Sequence, residues 1–203
     1  GVKVSAVSTE FEQGELTAST GDFDFAIQGN GFFMIEMPDG TTGYTRNGNF
    51  LMAINPNGGT TLTTADGYSV LDSNGKAITF DAATDTTRLS FDNYGNIFYK
   101  NAQGVIQPTG VRIGAAQFNN PSGLTKLGDS YFAESAASGN ARIEGQDAAL
   151  SVSVIKNGYL EASSVQAVDE MVDMIVTQRA YEMNSKAITA SDEMLQQANS
   201  LRR

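Results

Sequence analysis

The chain has 203 residues, with 13 Lys and Arg against 23 Asp and Glu, a net charge of −10. A surface this acidic argues against nucleic acid and anionic membranes as partners. The absence of Cys, His and Trp removes disulfides, thiol nucleophiles, Cys/His zinc sites and every His-based triad.

Residues 1–22 read as an extended leading segment, without the basic-then-apolar pattern of a signal peptide. From residue 23 the chain reads as short strands punctuated by turns. Phe23, Phe25 and Ile27 alternate with small or polar residues, and Phe33, Ile35 and Met37 continue the alternation, the period of a half-buried strand. Gly29-Asn30-Gly31 between them reads as a hairpin turn. A phosphate cradle would need a following helix and a Lys, and Phe32 to Ile35 is strand-like instead. Further turns are expected at Pro38-Asp39-Gly40, Asn47-Gly48, Asn57-Gly58-Gly59, Asp66-Gly67, Asn74-Gly75 and Tyr94-Gly95. The apolar pieces between and after them are Phe50 to Ile54, Tyr68 to Leu71, Ile78 to Phe80, Leu89 to Phe91, Ile97 to Tyr99 and Val111 to Phe118. This spacing predicts a β-rich domain over residues 23–158, an irregular β-sandwich or β-roll.

Residues 159–203 form a different object. No Gly or Pro occurs from Glu161 to Arg203. Ser163 with Gln166 fits a capping box, and a helix is expected from Ser164 to Leu201, roughly 57 Å long. Ala167, Met174, Tyr181, Ile188 and Leu195 recur every seven residues. A flanking file holds Ala180, Ala187, Met194 and Leu201. The position a two-stranded coil would also fill carries Glu170, Thr177, Asn184 and Ser191, so this is not a leucine zipper. Arg179 can pair with Glu182, and Glu182 with Lys186, along the surface. The fold class expected is therefore mainly β with a long C-terminal α-helix. Such a helix has more apolar surface than one small β domain can cover, which points to assembly.

Catalytic candidates are sparse. Asp22 and Asp24 sit two apart and could serve as an acid/base pair, and Glu10, Glu12 and Glu15 are similarly spaced. Solvated surface is the favoured reading for both groups. Asp169 and Asp173 complement the helix dipole, and Asp81, Asp85 and Asp92 do not match a calcium loop. Lys76, Lys100, Lys126 and Lys156 lack the apolar surroundings that would activate a Ser–Lys dyad. Tyr44 and Arg46 either stack on a neighbouring surface or cover the sheet. No catalytic, metal or cofactor-binding residue is assigned. Candidate assembly residues are Met174, Tyr181, Ile188 and Leu195 with Ile175 and Met194 beside them as packing side chains. Arg179, Glu182 and Lys186 are candidate polar contacts that fix register. The alternatives are a carbohydrate-active enzyme using Asp22 and Asp24, or an adhesin with a helical stalk.

Several segments together resemble the bacterial flagellar basal-body rod and hook family. They are Asp24-Phe25-Ala26-Ile27-Gln28-Gly29-Asn30-Gly31-Phe32-Phe33, Tyr44-Thr45-Arg46-Asn47-Gly48-Asn49-Phe50, and Asp66-Gly67-Tyr68. Near the end follow Asn157-Gly158-Tyr159-Leu160-Glu161, Val168 to Val172 and Thr177 to Lys186. The resemblance implies a non-enzymatic structural subunit, exported by the flagellar type III apparatus and located in the rod that crosses the periplasm. Its implied partners are other copies of itself in a helical homo-polymer, other rod proteins, the hook or hook-junction end, and the P- and L-ring bushing. No cofactor, nucleic acid or membrane insertion is implied. The resemblance also implies a β domain facing outward and an N-terminal helix ahead of Gly1-Val2-Lys3-Val4 that packs with the C-terminal helix.

Overall fold

A computed structural model describes Lys3 and residues 9–55, 58–82, 84–101, 103–147 and 150–200. Asn57, Leu201 and the chain start at Gly1, Val2 and Val4 lie outside the described residues. Two compact units are present, Gly1–Ala162 and Ser163–Arg203. Among the described residues the first holds short β-strands with two 3-10 turns and no closed barrel, and the second holds one α-helix. The division falls after Ala162 rather than at residue 158, because Tyr159–Glu161 is a strand of the β unit.

Among the described residues the strands fall into four sheets. The short ribbon pairs β1 (Leu16–Ala18) with β17 (Tyr159–Glu161), which joins residues far apart in the chain. A second pair joins β2 (Phe25–Gln28) to β16 (Val154–Asn157). The largest sheet is centred on β3 (Phe32–Glu36), flanked by β4 (Thr42–Thr45), β7 (Ser69–Val70) and β12 (Ala115–Gln117). It continues one way through β6 (Thr60–Thr64) to β5 (Phe50–Ile54) and β8 (Thr79–Phe80). The other way it continues to β14 (Tyr131–Ala133) and β13 (Thr125–Gly128), while β15 (Arg142–Ile143) pairs with β12. The fourth sheet is β9 (Leu89–Phe91), β10 (Asn96–Lys100) and β11 (Ile106–Arg112).

β3 is buried on both faces. Phe33 lies in one apolar cluster with Phe25, Ile27, Phe50 and Leu62. Phe32 and Met34 lie in a second with Tyr44, Phe118 and Phe132. That explains the unbroken run Phe32 to Ile35, since a strand covered on both sides needs apolar residues at every position rather than every second one. The half-buried alternation expected here is thus corrected.

The loops share one construction. At Met37–Thr41, Thr64–Tyr68, Asp72–Lys76, Asp92–Asn96 and Asn101–Val105 the first residue donates its N–H to the carbonyl four residues on. The Gly three residues on donates back to the first residue's carbonyl. This is the three-residue hairpin, a type I turn closed by one left-handed residue. Only that last position needs positive φ, as at Gly75 (φ 76°) and Gly95 (φ 78°). Asp72 reinforces its turn by accepting from the N–H groups of Asn74 and Lys76, both at 2.8 Å. Asp92 does the same for Tyr94 and Asn96, both at 2.9 Å. Asp72 and Asp92 are therefore turn-forming groups.

Two expected hairpins are not hairpins. β2 and β3 do not pair with one another, so Gly29-Asn30-Gly31 is a crossover between sheets. Asn47-Gly48 likewise links β4 to β5, which do not pair. Gly48 is required by close approach, because a Cβ there would collide with the Phe25 carbonyl.

Candidate functional site

The second unit is the helix α1 (Ala167–Ser200), 34 residues long, with no buried residue. Its entrance differs from the expected capping box. The Ser163 hydroxyl accepts from the Val165 N–H at 3.2 Å, and Gln166 contributes its backbone carbonyl to Glu170 N–H at 3.2 Å. Asp169 and Glu170 occupy the first turn, where carboxylates offset the positive end of the helix dipole. Arg179, Glu182 and Lys186 make no ion pair with one another, since the ion pairs among the described residues are Arg46–Glu161, Arg88–Asp85 and Arg142–Asp147.

Met174, Ile175, Tyr181, Ile188, Met194 and Leu195 are all exposed, from 49% at Ile175 to 78% at Tyr181. At about 100° per residue they do not share one face. Val168, Met171, Val172, Ile175 and Val176 cluster on one side of the first half of α1. Ala180, Ala187, Ile188, Met194 and Leu195 cluster further along the helix on a side rotated by roughly 130°. Met174, Tyr181, Ile188 and Leu195 form a file that drifts about 20° per seven residues, lies off the first cluster and enters the second at Ile188 and Leu195. Arg179, Glu182 and Lys186 follow the first cluster on the Ile175 side, away from the second.

In the β unit, a part-buried junction holds side chains that the sequence left unassigned. Arg46, just after β4, directs its guanidinium at Glu161 on β17. Nε meets Oε2 at 2.9 Å and Nη2 meets Oε1 at 3.0 Å. Nη1 donates to the carbonyls of Gly29 and Gly31, both at 2.9 Å, and Nη2 reaches the Ile27 carbonyl at 3.4 Å. All five guanidinium N–H groups are thus engaged. Glu161 also accepts from the Gly14 N–H at 2.9 Å. The Arg46 side chain is 17% exposed and that of Glu161 10%. Arg46 therefore neither stacks on an outside surface nor merely covers the sheet. Its cation also lies over the Phe32 ring, 5.7 Å from the centroid.

Gly31 sits against a buried carboxylate. Glu144 is 1% exposed and accepts from Ser153 N–H at 2.8 Å, Ser153 hydroxyl at 2.7 Å and Gln117 Nε2 at 2.7 Å. A Cβ on Gly31 would stand 2.7 Å from Glu144 Oε1.

Asp22 and Asp24 do not form a pair. Asp24 is buried and accepts from the Ser19 hydroxyl and from Asn49 Nδ2 at 2.8 Å. Asp22 is exposed and lines a cavity of about 320 Å³ with Ser19, Phe23, Thr87, Phe91 and Asn157. Glu10, Glu12, Glu15, Asp169 and Asp173 are exposed. Among the described residues no three carboxylates converge on a metal position. Lys76, Lys100 and Lys126 are exposed, and the Lys156 ammonium lies over the Tyr159 ring. Burial, aided by Glu134, pushes the Tyr44 phenol up to about 12. Tyr131 is likewise raised to about 12 by burial, and donates to Asp66 Oδ2 at 2.5 Å.

Residues 156–201 match the family model for the C-terminal region of the flagellar basal body rod FlgEFG proteins, and residues 26–99 match that of the flagellar hook protein FlgE/F/G D1 domain. The chain is 43% identical over 188 residues to the flagellar basal-body rod protein FlgG of Bacillus subtilis, covering 92% of this chain and 68% of that protein. It is 38% identical over 205 residues to FlgG of Borreliella burgdorferi, covering 100% and 73%. The flagellar hook protein FlgE of B. burgdorferi is a weaker match, 37% identical over 130 residues, which is 58% of this chain and 29% of that one.

Proposed function

The chain belongs to the flagellar basal-body rod protein family, and from that membership we propose that it builds the distal rod by packing α1 against helices of neighbouring copies. The observation that carries this reading is the helix itself. Eleven large apolar side chains from Val168 to Leu195 stand between 49% and 78% exposed. Apolar surface on that scale is the mark of an interaction site. Its two faces point in different directions, so one partner helix cannot cover both. Two different neighbours can, and unlike contacts on two sides generate an open helical polymer rather than a closed dimer.

In this reading Met174, Ile175, Tyr181, Ile188, Met194 and Leu195 are buried between subunits. Arg179, Glu182 and Lys186 gain polar partners that set the register. The work is mechanical, many small interfaces in series making a stiff shaft from motor to hook. At its ends the polymer meets other rod proteins and the hook or hook-junction end, and along its length the P- and L-ring bushing. The acid/base reading of Asp22 and Asp24 has no support from the site, because Asp24 is occupied by Ser19 and Asn49.

The test is an epitope label on this protein in purified hook–basal bodies, located by electron microscopy. Label on the shaft between the motor ring and the hook is expected. Label along the hook would make it a hook paralogue, and absence from the particle would reject the reading.

A further inference from the structure

We propose that Arg46 and Glu161 are positioning residues that lock the β1–β17 ribbon onto the β unit, so that load applied to the chain at Ser163 reaches the sheets through this ion pair. The inference rests on the shaft reading above and adds a device that the reading does not contain.

The ribbon cannot hold itself. β1 and β17 pair over three residues each, and none of the six is buried. A two-stranded ribbon of this size is marginal in water on its own. Yet it carries the last residues before the helical unit. Ala162 N–H donates to the Glu15 carbonyl at 2.9 Å, and the Ala162 carbonyl leaves no room for a Cβ on Gly14. Backbone bonds of Gly158 to the Ser19 N–H and the Asp24 carbonyl, both at 2.8 Å, tie the ribbon's near end, and what fastens its far end is polar and non-local. Glu161 is gripped by two guanidinium nitrogens from Arg46, a residue 115 positions away, and by the Gly14 N–H.

The anchor behind Arg46 is the Gly29–Gly31 crossover. Its two carbonyls accept from Nη1, and its Gly31 N–H donates to the buried Ser153 hydroxyl at 3.2 Å. Gln13 ties the leading segment to the same place, donating to Ile27 O at 2.6 Å and accepting from Gly29 N–H at 2.9 Å. Four stretches of chain, around residues 13–14, 27–31, 46 and 161, therefore meet around one guanidinium–carboxylate pair. A Lys offers three donors and no planar fork, so it cannot replace Arg here. The same junction explains why the crossover needs glycines. Backbone carbonyls must face the guanidinium while the other side lies against Glu144 and Ser153, where a Cβ on Gly31 has no space.

The experiment is hydrogen exchange with mass spectrometry on the full 203-residue chain and on Glu161→Gln and Arg46→Lys. The expected result is at least a 100-fold loss of protection at amides 16–18 and 159–162, with β3 and β6 unchanged. Unchanged ribbon protection in both variants would overturn the proposal. So would an equal loss across the whole β unit, which would make the pair an ordinary part of the core. If either substitution prevents folding, Gln13→Ala removes only two of the bonds and should give a smaller, still local loss; a global loss there would overturn the proposal too. In flagellated cells, shafts containing Glu161→Gln should still carry the label but break under viscous load that wild-type shafts survive. Equal survival would sink the lock alone, whereas a wild-type protein missing from the shaft would sink the reading beneath it.

Discussion

Replacing Ile188 by Asp separates assembly from folding. Ile188 is 64% exposed on α1. Full burial of an Ile side chain contributes about 1.5–3 kcal/mol, so roughly 1–2 kcal/mol remains to be gained when a neighbouring helix covers it. Ile188→Asp forfeits that and also places a carboxylate in a dry seam, which costs several kcal/mol more unless a cation moves to meet it. The combined loss is about 4 kcal/mol per contact or greater, equivalent to a rise of roughly 1,000-fold in the concentration needed for assembly. The folded chain alone should hardly notice. The position is exposed, and the change in helix propensity is worth about half a kcal/mol. The two quantities are read separately: thermal unfolding of the purified chain, and recovery of the protein in basal bodies together with swimming in soft agar. The expected outcome is an unchanged unfolding midpoint for the β unit and no incorporation into the shaft. Ile188→Leu should assemble normally. Incorporation of Ile188→Asp at wild-type levels would refute the claim that this file is buried between subunits.

Other expectations concern the β unit. Phe33, fully buried and edge-on to Phe50 at 5.1 Å, should cost about 3–5 kcal/mol when changed to Ala, read as a lowered midpoint in denaturant. Asp24→Asn turns an amide N–H toward groups that already donate, Ser19 and Asn49; it should cost about 1–3 kcal/mol and increase proteolytic cleavage within residues 19–24. The raised phenols of Tyr44 and Tyr131 predict alkaline sensitivity. The unfolded chain loses these protons near pH 10 while the folded one holds them to about 12, so their stabilisation is complete below pH 10 and falls away between 10 and 12. The slope should approach 1.4 kcal/mol per pH unit for each tyrosine at most, and Tyr131→Phe should flatten it in denaturant titrations across that range.

The parts of this fold written locally could be read from the residues alone. β5 and β9 coincide with the apolar pieces Phe50 to Ile54 and Leu89 to Phe91, because an aromatic or Leu at alternate positions is a local signal. β6 was invisible to that rule. Its sequence, Thr60-Thr61-Leu62-Thr63-Thr64, buries four of its five residues. Thr carries a hydroxyl that reads as polar, although its branched Cβ suits a buried strand. β13 has no buried residue and is a strand only because β14 pairs with it. β1 and β17 depend on a partner more than 140 residues distant. The helix is legible from composition and seven-residue spacing, and the flanking file of Ala180, Ala187 and Met194 marks the rotated side; the first cluster, from Val168 to Val176, has no sustained seven-residue repeat and shows only in the structure.

Arg46 marks the deeper limit. Before Asn47-Gly48, an Arg on a turn is ordinarily a solvated side chain. Had Asn47-Gly48 been a hairpin, Arg46 would have been on its shoulder and in water. It is instead part of a link between non-paired strands, and Gly48 presses against the Phe25 carbonyl there. That close approach leaves Arg46 facing the Gly29–Gly31 carbonyls. A cation so enclosed must be compensated, and the compensating carboxylate is Glu161, at the end of the β unit. The glycines of two apparent turns and an acidic residue beside the helix are thus one constraint distributed over the sequence. Local pattern assigns each a separate and innocuous role, and only their convergence in space brings the crossover, Arg46 and Glu161 into one junction.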